Sequence, residues 1–199
     1  LGFYPNPKKA LKYRRNFNMF GGLPYDRLPV PKKLNWDLLQ PVLDHFRHVL
    51  AAGIADPITK EAHIRNEYLL NWYAAVLQWL KKLGVIAILL SEQGAGKSTI
   101  NGPAPEGLMG YIFGKYHQKV SKIETLVKDF NGDATEKLFC DLEEVSPHNK
   151  SHKNADVLKD IFSSRKMRKE NKGIDAVHVD DERNFAAGTQ NPDGLKYEQ

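Results

Sequence analysis

Two glycines flank one alanine and run directly into a lysine and two hydroxyl residues at Gly94-Ala95-Gly96-Lys97-Ser98-Thr99. Residues this small let backbone N–H groups close around an anion, a lysine adds a point charge, and a hydroxyl can complete a Mg²⁺ shell. The segment Gln93, Gly94, Ala95, Gly96, Lys97, Ser98 and Thr99 is therefore expected to bind the phosphates of ATP, with Lys97 on the β- and γ-oxygens and Ser98 on Mg²⁺. Val85 to Leu90 just upstream is aliphatic and β-branched, the composition of a buried parallel strand feeding such a loop. The full pattern has glycine where Ser91 stands. Thr99 is expected to open the next helix, which Gly102-Pro103-Ala104-Pro105 should break within about one turn.

Carboxylates form the second chemical group. Lys137 to Glu144 reads as another central strand, ending in Glu143 and Glu144. At the carboxyl end of a strand beside an anion loop, one acid can hold Mg²⁺ through water and the other can polarise an attacking water. Asp141 puts a third charge inside the same apolar strand. A further strand through Phe185 to Thr189 ends at Gln190-Asn191, where an amide can meet a γ-phosphate or the attacking water. His148, His152 and His178 lack ligand spacing, so no metal site is assigned to them.

These groups need elements to hold them. Residues 1–33 combine five prolines with aromatic side chains, which predicts an extended arm packed over a folded body rather than long helices. From Asn35 the pattern turns helical, with Pro41 at a first-turn position and Gly53 as a stop, and Asp44 and His48 share an exposed face. Arg65 to Lys82 is the strongest helical stretch, with Leu69, Trp72, Tyr73, Val76, Trp79 and Leu80 facing a core. Residues 117–122 predict a short strand, Ile123 to Phe130 a short helix, and Asp156 to Ser164 an amphipathic helix. Arg165 to Asp175 predicts a basic hairpin turning at Gly173.

The totals bound the class. The 199 residues are 41% hydrophobic and 27% charged, ample for a globular core. One cysteine, Cys140, excludes an internal disulfide framework and a Cys-rich zinc site. No stretch approaches the ~18 to 20 apolar residues of a membrane span, so no membrane association is expected and the location is read as intracellular. The net charge of +5 is unevenly spread. Residues 1–33 hold eight Lys or Arg against Asp26 alone, and residues 150–172 hold eight against three acids, as a polyanion-binding protein could.

Taken in order, these pieces resemble the superfamily 3 helicase domain of viral and phage primase-helicases, the poxvirus D5-like group. The resemblance is carried by Asn18 to Gly22, Glu67 to Trp72, the Glu92 to Ser98 loop, Leu138 to Glu144, the basic segment with Lys172-Gly173, and Phe185 to Asn191. It implies a ring-forming, usually hexameric ATPase that moves along single-stranded DNA at a viral replication site. By position it gives Lys97 and Ser98 to ATP and Mg²⁺, Glu143 and Glu144 to the acidic pair, Lys169, Lys172 and Gly173 to a DNA-facing hairpin, and Asn191 to the γ-phosphate sensor. Ser91, the Glu-Glu pair in place of Asp-Glu, and the break after Thr99 depart from the family pattern.

The expected fold is α/β, a P-loop NTPase of AAA+-like type with a parallel sheet flanked by helices. The expected division is a basic arm at 1–33, a helical region at 34–83 and the ATPase core at 84–199. The start at Leu1 suggests an excised piece, and the core is expected to lack the arginine finger lent to a neighbouring subunit, a loss of about 10³-fold in turnover. A P-loop phosphotransferase acting on a small molecule, or an inactive ATP- or DNA-binding remnant, are the competing readings.

Overall fold

A computed structural model describes residues 2–12, 18–51, 59–121, 124–127, 132–143, 152–171 and 174–190. The elements are α1 (Pro7–Lys12), α2 (Trp36–His45), α3 (Lys60–Trp79), β1 (Ala87–Leu90), α4 (Lys97–Asn101), α5 (Leu108–Phe113), β2 (His117–Val120), α6 (Glu124–Val127), β3 (Phe139–Glu143), α7 (His152–Ser163), β4 (Lys166–Asn171), β5 (Ile174–Asp180) and β6 (Asn184–Thr189). A π-helical turn, Phe46–Ala51, continues α2.

Four strands pair in the order β1-β6-β3-β2, all parallel, and β4 pairs antiparallel with β5 as a separate hairpin. The fold is thus mixed α/β, a parallel sheet with helices on both faces. β6, the last described strand, lies between β1 and β3, with Leu90 opposite Thr189 and Glu143 opposite Gly188. β6 is thin: Ala186 and Ala187 are fully buried and Gly188 follows them. Small residues there let large side chains close in from both layers. On one face Leu69, Trp72, Tyr73 and Val76 of α3 pack with Ile100, Phe113 and Phe139. On the other, Leu158 and Phe162 of α7 and Leu126 of α6 meet Cys140, Leu142 and Phe185.

The amino-terminal arm lies over the first of these layers. Phe3 and Phe20 meet edge to face at 5.8 Å, and both stand against the Tyr116 ring. The Asn18 side chain ties Tyr4 and Phe20 together by accepting from both backbone N–H groups.

Several local expectations are revised. Asn35 caps α2 by accepting from the Asp37 and Leu38 amides, so Pro41 lies inside the helix rather than in its first turn. Thr59 caps α3, which starts at Lys60, five residues earlier than Arg65, and Leu80 closes it in a left-handed conformation. Trp72 is buried and donates its ring N–H to Val85 O, but Trp79, one heptad on, is half exposed at the last residue of α3. Asp44 accepts from Gln40 and is not paired with His48. Gly53 lies outside the described residues.

A buried ionic knot joins the hairpin to the sheet. Asp181 takes a bidentate pair from Arg183, at 2.9 and 3.0 Å, and a 2.7 Å bond from Lys82, with all three side chains nearly inaccessible. Burial alone would raise the Asp181 pKa, but the two cations outweigh it and hold the carboxyl below its ordinary value. Lys9 of α1 pairs with Asp180 and Glu182, and Lys166 with Asp180. The acidic triplet is thus consumed by structure. Asp181→Ala should destabilise the chain by about 3–5 kcal/mol, since two buried cations lose their partner; denaturant titration at neutral pH measures it, and a loss below about 1 kcal/mol would contradict the assignment.

Candidate functional site

The turn between β1 and α4 has two residues that only glycine suits. Gly94 and Gly96 sit at φ +81° and +80°, a region L side chains rarely adopt. Gly96 caps α4, which therefore starts at Lys97 rather than Thr99 and lasts five residues before Gly102-Pro103 ends it, as the break in the sequence predicts. The chain resumes helix at α5 without α4 being lengthened.

Lys97 reaches back across this turn. Its ammonium donates to Ser91 O at 2.9 Å, Ser91 Oγ at 2.7 Å and Glu92 O at 3.0 Å, so Ser91 serves as a lysine partner where the common pattern has glycine. Its stem passes over β6, where a Cβ on Gly188 would stand 3.2 Å from Lys97 Cε. No carboxylate pairs with this ammonium among the described residues, and burial lowers its pKa.

Period-two alternation decides which acids face the loop. Phe139, Asp141 and Glu143 share one face of β3, while Cys140 and Leu142 point into the α7 side of the core. Asp141 is 5% exposed, lines the cleft and has no hydrogen-bond donor among the described residues. Burial, reinforced by Glu143 and opposed by Lys119, pushes its pKa up to about 6. Glu143 sits at the rim and is held by Lys119 of β2 at 2.7 Å. Beneath them Tyr73 donates to the Asn101 side chain, and His117 Nε2 donates to Asn101 O at 2.6 Å, fixing the end of α4.

The cleft these groups enclose has a volume of about 620 Å³. Gln93, Gly94, Ala95, Gly96, Lys97, Ser98 and Thr99 line one wall, and Asp141, Glu143, Gly188, Thr189 and Gln190 the other. The structure thus brings the loop and Glu143 together. Glu144, Asn191, Lys172 and Gly173 lie outside the described residues. Lys169 is on β4 opposite Val177, in the hairpin that joins β6 at its amino end, away from the cleft. Sequence reasoning missed Asp141 as a cleft residue, although its two-residue spacing from Glu143 signals a shared face. Lys119 and Gly188 carry no local signal and are found only through strand register. Lys97 without a carboxylate partner and Asp141 without a donor, among the described residues, face one cleft, a set that a Mg²⁺-bound polyphosphate would satisfy. Among the described residues no cluster of three or more His, Cys, Asp or Glu is placed to hold a metal by itself.

A family model described as a family of unknown function, DUF5906, matches residues 89–198. No curated protein matches the chain significantly. Among solved structures, the apo C-terminal region of NrS-1 (305–718) superposes with a TM-score of 0.69 at 19% identity, over 92% of this chain and 40% of that one. An A-form apo structure of the same region gives 0.64 at 20% identity, over 92% and 39%. The chain spans about two fifths of the length of these structures, and at this identity the likeness is one of fold.

Burial makes the ionised Asp141 carboxyl costly to the fold. With its folded pKa raised, its contribution to stability is complete below the ordinary value of 3.8 and is lost as pH rises through about 6. Asp141→Asn should therefore stabilise the chain at pH 7 by about 3 kcal/mol and make little difference near pH 3. Denaturant midpoints at the two pH values test this, and equal effects at both would refute it.

Proposed function

The chain belongs to the DUF5906 family, and from that premise we propose that it is the ATP-driven motor of a superfamily 3 type DNA helicase acting in viral or phage genome replication. The observation that carries this reading is the juxtaposition, in one cleft at the carboxyl ends of parallel strands, of the Gly94–Thr99 turn, an uncompensated Lys97 and the acids of β3. Open parallel sheets bind ligands at that end.

In this reading Lys97 exchanges the Ser91 and Glu92 carbonyls for β- and γ-phosphate oxygens. Ser98 and Glu143 hold Mg²⁺, with Asp141 behind them. The metal, when bound, neutralises charge on the phosphates. Glu143 must leave Lys119 to do so, and Glu144 takes the proton of the attacking water on its carboxylate. Asn191, which follows the cleft residue Gln190 in sequence, senses the γ-phosphate. Lys169, Lys172 and Gly173 of the hairpin hold the backbone of single-stranded DNA without reading sequence. The working unit is a ring-shaped homo-oligomer, a hexamer, at an intracellular site of viral replication.

ATP hydrolysis by the purified chain, with and without single-stranded DNA, tests the motor. DNA-stimulated turnover is expected; phosphate transfer to a metabolite without DNA stimulation would favour a phosphotransferase, and binding without turnover an inactive remnant. Lys97→Ala should abolish ATP binding with the unfolding midpoint unchanged, and retained affinity would remove the central claim. Lys169→Ala should weaken DNA binding and reduce its salt slope by about 1; an unchanged slope moves the DNA contact elsewhere.

A further inference from the structure

We infer that His45, from the helical region, is a positioning residue for the Gly94–Thr99 loop; this rests on the nucleotide reading of that loop. His45 is the last residue of α2 and lies 51 positions before Gly96, yet its Nε2 stands 3.0 Å from Gly96 O. A carbonyl can only accept, so the imidazole nitrogen there carries the proton and donates. The ring also fills the space where a side chain on residue 96 would stand, since a methyl group built on Gly96 overlaps it.

That bond controls an amide. A trans peptide is planar, with its C=O and N–H pointing opposite ways. The direction of the Gly96 carbonyl therefore fixes that of the Lys97 N–H. Gly96 O accepts from Thr99 N at 3.2 Å inside α4 and from His45 outside it, so both lone pairs are engaged. The Lys97 amide is thereby turned to the side of the loop away from His45. Glycine at φ +80° has little conformational preference of its own. An external donor supplies the restraint that its missing side chain cannot.

The brace is itself anchored. The π-helical turn after His45 buries Phe46 edge to face against Tyr73 at 5.3 Å. Tyr73 in turn bonds Asn101 at the far end of α4. Both ends of the short helix are held by the helical region, and single π-turns are frequent at functional sites. His45 does not line the cleft, so its effect on a ligand passes through the Gly96–Lys97 peptide.

The test is a Mg·ATP binding titration of the full chain with wild type, His45→Phe, His45→Ala and His45→Gln, each with its thermal midpoint. Phe keeps the bulk without the donor, and Gln keeps a donor N–H. His45→Phe and His45→Ala should bind about 5- to 10-fold more weakly, and His45→Gln within about twofold of wild type. If Phe does not fold, Ala against Gln carries the comparison. Wild-type affinity in the folded Phe or Ala variant, or an equal loss in Gln, overturns the positioning role while leaving the nucleotide site standing. A wild-type chain that binds no nucleotide overturns the nucleotide reading and this inference with it.

Discussion

The thinness of β6 is the constraint on which the carboxyl end of the sheet depends. Ala186, Ala187 and Gly188 put almost no side-chain volume between the two helical layers. Because of this the aromatic residues of α3 and the apolar face of α7 can both reach the sheet, and the Lys97 stem can cross it. A Cβ at residue 188 would press on the Lys97 stem, at 3.2 Å from its Cε. Core packing and the electrostatics of the cleft therefore share a single requirement, which is small residues at Ala186, Ala187 and Gly188.

Much of this was readable from short stretches. β1, the glycine turn and α4 occupy fifteen consecutive residues, so their order alone predicts a strand, a turn and a helix, and Gly102-Pro103 predicts how soon the helix stops. What stayed hidden depends on register or on distant contact. Asp141 looked like an anomaly in a buried strand until pairing put it on the cleft side with Glu143. Trp79 fits the same helical face as Trp72, but a periodic pattern does not reveal where the opposing surface ends. His45 has no local mark that distinguishes it from His48, and only the fold brings it to Gly96.

Charge shows the same limit. Composition suggests two basic segments open to a polyanion, yet Lys9 and Lys166 are engaged with Asp180, and Arg168 pairs with Glu170. Counting lysines overstates the free positive surface because acids nearby in space, though not always in sequence, neutralise it. Buried members of the network act differently from these exposed pairs. Lys82, Asp181 and Arg183 lock the point where the hairpin becomes β6, so the strand enters the sheet from a fixed base.

The strand order also governs how the chain acquires its shape. β1 has its only described partner in a strand about a hundred residues later, with Ala87 facing Ala186. Such long-range parallel pairing closes large loops before any contact rewards them, and it slows folding. Until β6 slides between β1 and β3, those two strands have no shared neighbour and the lysine has no floor to lie on. Maturation of the cleft is thus tied to the last described strand, and a growing chain emerging from synthesis would carry its glycine turn long before that turn could hold anything.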